Sequence, residues 1–459
     1  MALSRFTSRL LAVAALLAVA AGAITPAVVG RDGVPPVDGR DEEALEQQLA
    51  RPAVEAYFLH ESYRPGVTAT LVVDTAVRSV TLQIFRAGDT SIVDKRRDEM
   101  RGIAVTPVTR KQLDPQGGPA RLKVKIGDWP SGVYYAELRA GSGRVGYAPF
   151  ILAPKRLGEH RVAVVMPTNT WSAYNMRDDD GNGRGDSWYQ DSSVRTVDMT
   201  RAFLERGVPP HFGAYDLPFL RWLFVTGKQV DVISQRELEH GVTGGFLANA
   251  YSLIVFSGHH EYVTEREYDV IERYRDLGGN LMFLSANNFF WKVSKRGDGM
   301  TRVALWRDLG RPEAGLIGVQ YIANDGGRHQ GPYRVSRSEA GDWIFAGAGL
   351  EPGSTFGRYG IEIDHITAAS PPGTQVVAEI PDLLAPGKTA QMTYYETAAG
   401  AKVFAAGAFT LAGRMFFPVN EPTLRMLENL WEALAADTPA SADRVGALPQ
   451  TTAAPARSR

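Results

Sequence analysis

The chain has 459 residues, 50 Lys and Arg against 51 Asp and Glu, and no cysteine. That length accommodates two or three domains, and an interspersed, near-zero charge offers no footprint for nucleic acid. Without cysteine there is no disulfide, no thiolate metal site and no cysteine nucleophile.

Arg5 and Arg9 precede the apolar run LLAVAALLAVAAGAI, and small residues surround Ala21-Gly22-Ala23. This pattern predicts a signal peptide over residues 1–25. The run is short for a membrane span, which favours cleavage over a stable anchor, and no cysteine follows to carry a lipid. A secreted, extracytoplasmic protein is expected. Residues 26–50, polar and rich in Pro and Gly, read as a linker.

Between 51 and 155 the pattern has period two. In SVTLQIF, Val80, Leu82 and Ile84 alternate with polar neighbours, and in RLKVKI so do Leu122, Val124 and Ile126. WPSGVYYAELRA adds a turn and another strand. Short strands with no helix between them predict a β-sandwich.

After APKRLGEH the pattern changes. RVAVVM, SLIVFSG and NLMFLSA are continuous apolar runs, as in strands buried on both faces. Between the last two, Thr264 and Glu267 can form a capping box, and Gly278-Gly279 ends the segment. Strand, helix and strand within this span predict a βαβ crossover and a parallel sheet. The α/β domain is expected over 158–437, with short strands from Gly318 to Met415 and a closing amphipathic helix, NEPTLRMLENLWEALA. Residues 438–459, rich in Ala, Pro, Ser and Thr, read as a disordered tail.

Ligands in open α/β sheets sit beyond the carboxyl ends of the strands. TNTWSAYN, SGHHEY and ANNFFW each follow an apolar strand. Loop polarity alone explains any one of them; their shared edge makes a candidate site. Within SGHHEYVT, His260-Glu261 begins the zinc-hydrolase signature H-E-x-x-H, but Thr264 stands where the second ligand would be.

In order along the chain, TNTWSAYN, SGHHEY, LSANNFFW and MTYYETAAGAKVFAAG resemble the large subunit of N,N-dimethylformamidase and its wider family. The resemblance covers most of the chain. It implies an Ig-like β-sandwich followed by a class I glutamine amidotransferase-like, flavodoxin-like α/β domain. It also implies one ferric ion held by Tyr174, Tyr215 and Glu261, with His259, Asn287 and Glu396 as catalytic residues. The implied reaction is hydrolysis of a small-molecule amide C–N bond, and the implied partner is a small second subunit. Homo-oligomerisation stays open. His260 is given no role.

Such a ligand set is chemically coherent. A phenol with a pKa of about 10 ligates as phenolate, and a hard trivalent ion holds anionic oxygen where zinc would favour imidazole or thiolate. Two phenolates and a carboxylate neutralise a 3+ charge and leave positions open for substrate. Under this reading Glu261 is a ligand and the missing histidine is no defect. Glu396 would activate the attacking water, His259 would orient substrate or move a proton, and Asn287 would donate to the oxyanion.

DDDGNGRGD supplies a second metal signal. Asp178, Asp180, Asn182, the Arg184 carbonyl and Asp186 match the start of a calcium loop, with Gly183 for the sharp turn. Position twelve is Tyr189 rather than glutamate, so another carboxylate would be required. An acidic surface loop without a metal is the simpler reading. Two other functions compete with the hydrolase. One is a non-catalytic extracytoplasmic binding protein stabilised by calcium. The other, an amidotransferase-type hydrolase, fails for want of cysteine, and no G-x-S-x-G elbow surrounds Ser285.

Overall fold

Five short strands form the parallel half of one nine-stranded sheet. The computed structural model describes residues 54–89, 91–94, 99–114, 118–204, 206–414 and 420–436. The expected signal peptide, linker and tail lie outside these residues. Among the described residues, no helix is long and apolar enough to cross a membrane.

The parallel strands lie in the order Asp231–Ser234, Val162–Met166, Leu253–Phe256, Asn280–Phe283 and Lys402–Ala405. Counted along the chain this order is 2-1-3-4-5, a doubly wound arrangement whose switch point lies between the first and third strands. Val162–Met166, Leu253–Phe256 and Asn280–Phe283 are buried at every position, as their unbroken apolar runs require. The helix Glu265–Asp276 connects the last two. Thr264 accepts from the Glu267 backbone while the Glu267 side chain accepts from the Thr264 backbone, the expected capping box. Gly278, at φ 90°, follows the helix end.

The short strands beyond Gly318 extend the same sheet. Ala390–Glu396, Gln375–Ile380, Gln330–Val335 and Thr355–Gly360 continue it antiparallel from Lys402–Ala405. Glu362–His365 pairs separately with Gln320–Asn324. The closing helix is Glu421–Ala435, capped by the Asn420 side chain.

Upstream, the period-two segments form two further sheets. One contains Glu55–Phe58, Thr68–Asp74 and Ala120–Lys125. The other is built around Ser79–Arg86, Gly132–Ala140 and Val145–Leu152. Leu71 and Val73 from the first share an apolar cluster with Leu82, Ile84, Tyr134 and Phe150 from the second. Val133, Tyr135, Tyr147 and Ile151, alternate residues of the second sheet, belong instead to the cluster around Val164, Met166 and Phe219. The protein is therefore mixed α/β and dominated by strands.

Glu267 also ties the elements that carry the strand-end loops. Its buried carboxylate accepts from Asn169 Nδ2 at 3.1 and 3.2 Å and from Gln235 Nε2 at 3.3 Å, with Lys295 Nζ at 3.6 Å. Replacing it by alanine strands those buried donors together with the Thr264 backbone N–H. Glu267→Ala should lower stability by about 3 kcal/mol or more. Urea unfolding would show this as a reduced midpoint at unchanged slope; an unaltered midpoint would contradict the linking role.

Candidate active site

The chain beyond the first strand turns at Pro167 into the buried helix Thr168–Ala173, and Tyr174 ends that helix. The segment after the third strand, residues 258–262, is clamped from two sides. On one side, Glu261 N donates to Thr170 Oγ1 at 3.1 Å, and Asn169 Nδ2 donates to the Tyr262 carbonyl at 3.0 Å. On the other, His260 N donates to Asn288 Oδ1 at 3.1 Å, while Phe289 N and Trp291 N donate to the carbonyls of His260 and Glu261. The three strand-end motifs thus meet through hydrogen bonds to the backbone of residues 260–262.

The Glu261 carboxylate is 4% exposed. Its Oε2 accepts from Tyr174 Oη at 2.8 Å and from Tyr189 Oη at 3.0 Å. Burial, the strongest influence, raises its pKa to about 7; His259 opposes the rise and Glu362 adds to it. Tyr174 is pushed well above the ordinary phenol value by burial, with Glu261 and Glu362 adding to the effect.

Tyr174, Tyr189, His211, Tyr215, Asp216, His259, Glu362 and Phe409 are among the residues lining a cavity of about 230 Å³. Tyr215 arrives through a single π-helical turn, Phe212–Asp216, that follows His211 in the left-handed region at φ 60°. Such turns recur at functional sites because they re-aim side chains without ending the helix. The Tyr215 ring meets Phe409 edge-on, with centroids 4.6 Å apart. Asp216 accepts from Trp171 Nε1 at 3.0 Å, and burial raises its pKa to about 7. A Cβ at position 258 would lie 2.1 Å from Asp216 Oδ1, so this approach requires Gly258.

His259 Nε2 lies 3.6 Å from Glu261 Oε2 and 3.3 Å from Glu362 Oε2. Neither His259 Nε2 nor Glu362 Oε2 has a hydrogen-bond partner, although both are buried. Burial disfavours protonation of His259, but Glu362, Glu261 and Asp364 outweigh it and raise its pKa. Asn287, at φ 55°, donates its backbone N–H to Asp364 at 2.9 Å, and its side-chain oxygen is buried without a partner. Burial raises Asp364 to about 8. His260 is a core fastener, its ring nitrogens facing the Gly258 and Val165 carbonyls; burial lowers its pKa to about 3.

Tyr174, Tyr215 and His259 therefore share one cavity, with Glu261 hydrogen-bonded to Tyr174 and Asn287 anchored two residues from Glu362. Glu396 does not join them. It is exposed and pairs in register with Lys402, whose backbone N–H donates to Asn280 Oδ1 at the amino end of the parallel strand. Its strand runs antiparallel to its neighbour and carries it away from the cavity. Glu362 occupies the space instead, with Asn324 Nδ2 on Oε1 at 2.9 Å. The signal for Glu362 lay in YGIEIDH, where two acids alternate with isoleucines and so share one strand face. Ser285 is structural: its hydroxyl donates to the Phe409 carbonyl.

The donor set fits a hard cation. Glu261, Glu362, Asp216 and Asp364 are all buried, and His259 is the cation that opposes the rise in pKa at Glu261, Asp216 and Asp364. Phenols surround one carboxylate oxygen, and the cavity holds orphaned polar atoms.

At residues 178–186, one carboxylate oxygen each from Asp178, Asp180 and Asp186 lies within 4.8 Å of the others. Among the described residues no fourth carboxylate joins them. Asn182 Oδ1 instead accepts from the Arg184 backbone N–H. Tyr189, at position twelve of the loop, turns to Glu261.

The family model described as N,N-dimethylformamidase beta subunit-like, C-terminal, matches residues 98–420. The chain belongs to this family. It is 25% identical over 284 residues to an N,N-dimethylformamidase beta subunit of Alcaligenes sp, and 25% over 287 residues to one of Paracoccus aminophilus. Each match takes in 49% of this chain but only 37% of the relative's length. Among solved structures, a superoxide reductase from Ignicoccus hospitalis aligns with 24% of this chain and 86% of its own, at 13% identity and a TM-score of 0.16, too low to indicate a shared fold.

The raised pKa values fix a pH dependence for the metal-free protein. Asp216, Glu261 and Glu267 titrate near 7 and Asp364 near 8 when folded, against ordinary values of 3.8 for Asp and 4.5 for Glu. Across this window the four acids bind more protons in the native state than in the unfolded chain and outnumber His260, whose lowered pKa acts with the opposite sign at the acid end, so stability falls as pH rises. Protonated His259, its pKa also raised, contributes with the same sign. Urea midpoints of chelated protein should therefore decrease from pH 5 to pH 8; an increase would contradict the buried-acid assignment.

Proposed function

We propose that this protein is an exported, iron-dependent hydrolase of small-molecule amide C–N bonds, built from an Ig-like sandwich and an amidotransferase-like α/β domain. The observation that carries this reading is the gathering of Tyr174, Tyr215, His259 and Glu362 on one small cavity, with the buried Glu261 carboxylate beside it. The cavity volume is about eight times the ~30 Å³ share of one water, which suits a small substrate. Family membership and the relatives' names favour an amide as that substrate.

Tyr174, Tyr215 and Glu261 would hold the ion, and a ferric ion there would supply Lewis-acid polarisation of the amide carbonyl. Glu362 takes the role first expected of Glu396. Its Oε2, which makes no hydrogen bond and lies 3.3 Å from His259 Nε2, would remove a proton from water as oxygen attacks the carbonyl carbon. That proton would pass to the departing nitrogen as the C–N bond breaks. His259, between Glu261 and Glu362, would hold the compensating positive charge, and Asn287 would donate to the oxyanion. A small partner subunit and homo-oligomerisation belong to the same proposal. A calcium ion on the 178–186 loop, supported by its three converging carboxylates, would need a further carboxylate from outside the loop.

Metal analysis and absorbance test the site. Wild-type protein should carry one iron and a visible phenolate-to-iron band. Tyr174→Phe and Glu261→Gln should lose both while unfolding as cooperatively as wild type. Equal iron in all three proteins would refute the ligand assignment. Glu362→Gln should keep iron and lose ~10²–10⁴-fold in kcat on a small amide; undiminished turnover would exclude it as the base.

A further inference from the structure

Tyr189 touches two of the proposed ligands at once. Its hydroxyl donates to Glu261 Oε2 at 3.0 Å, and its ring stacks on Tyr174 with centroids 4.3 Å apart and planes 30° apart. The residue is 42% exposed overall, yet its hydroxyl reaches inward to Glu261 and to the fully buried Tyr262, with which it shares a short hydrogen bond. Neither the motif resemblance nor the calcium-loop pattern gives it a role at the cavity.

We infer that Tyr189 is a positioning residue of the iron site, a phenol that orients the Glu261 carboxylate and braces Tyr174. This inference rests on the iron reading above and deepens it. Proton accounting supports the assignment. Tyr262 Oη can donate to Tyr189 Oη, which leaves the Tyr189 proton for Glu261 Oε2. Tyr174 also donates to that oxygen, but a Tyr174 that binds metal as phenolate has no proton to give. Tyr189 then remains as the phenol donor to Oε2.

The loop is built to hold this pose. Tyr189 N donates to Ser187 Oγ at 3.2 Å, and Ser187 Oγ donates to the Ala173 carbonyl next to Tyr174. The Arg201 guanidinium, from a residue 8% exposed, binds the carbonyls of Asn175, Arg177 and Asp186. Position twelve of the loop, where a glutamate would close a calcium site, here serves the neighbouring centre.

Tyr189→Phe keeps the ring and removes the donor. The variant should bind iron at wild-type stoichiometry but surrender it to a competing chelator at ~10- to 100-fold lower concentration, the usual penalty for deleting an outer hydrogen-bond partner of a ligand. With Glu261 a stronger donor, the iron becomes less acidic and the phenolate band should move to shorter wavelength. An unshifted band and unchanged chelator resistance, with iron present in wild type, would overturn the role of Tyr189 alone. Loss of both band and iron, as expected of Tyr174→Phe, would make Tyr189 a ligand and overturn the positioning role. A colourless, iron-free wild type would overturn the iron reading and this inference with it.

Discussion

The site depends on several acids held in buried positions around one small cavity. Glu261, Glu362, Asp216 and Asp364 are buried within one neighbourhood, and His259 answers only part of their charge. Burying carboxylates is costly unless they are protonated, hydrogen-bonded or bound to a cation. The protein meets that cost in part with phenol donors on Glu261, an indole donor on Asp216 and a backbone donor on Asp364. His259 Nε2 and Glu362 Oε2, 3.3 Å apart, form no hydrogen bond. A neighbourhood of this kind is poised to take up positive charge, which ties its electrostatics to its proposed chemistry.

The architecture explains how the acids come to share one place. Parallel strands point their carboxyl ends the same way, and the 2-1-3-4-5 order opens a crevice between the first and third. Tyr174 follows the first of these strands and Glu261 the third. The backbone clamp around residues 258–262 removes the freedom a loop would normally have, and Glu267 extends the same bracing to the flanking elements. Tyr215 and Glu362 enter from other directions, by a π-helical turn and from a strand outside the nine-stranded sheet. Rigid elements thus set the distances on which proton transfer and metal binding depend.

Residues acting through local pattern were legible. Val80, Leu82 and Ile84 alternate, and the fold buries them; Thr264 and Glu267 stand at capping-box spacing, and the helix starts there. His259 and Glu261 were visible because they follow an unbroken apolar strand. Glu362 carries only a weak local signal, two acids among isoleucines on one strand face. Glu396 stands in a matching motif, but a motif carries no strand direction, and the antiparallel pairing sends it to the far end of the sheet. Tyr189 matches no local site pattern and stands where a calcium loop would have glutamate.

By itself, then, the amino-acid order determined the elements: apolar period fixes which segments become buried strands, and caps and glycines fix where helices begin and end, since both act over a few residues. Only the tertiary structure decided which side chains meet. Tyr174 and Glu261 stand 87 positions apart, and Tyr189 and Glu261 stand 72 apart. Contacts of that range depend on strand order, strand direction and the clamping of loops. These emerge when the whole sheet assembles, and no local pattern encodes them.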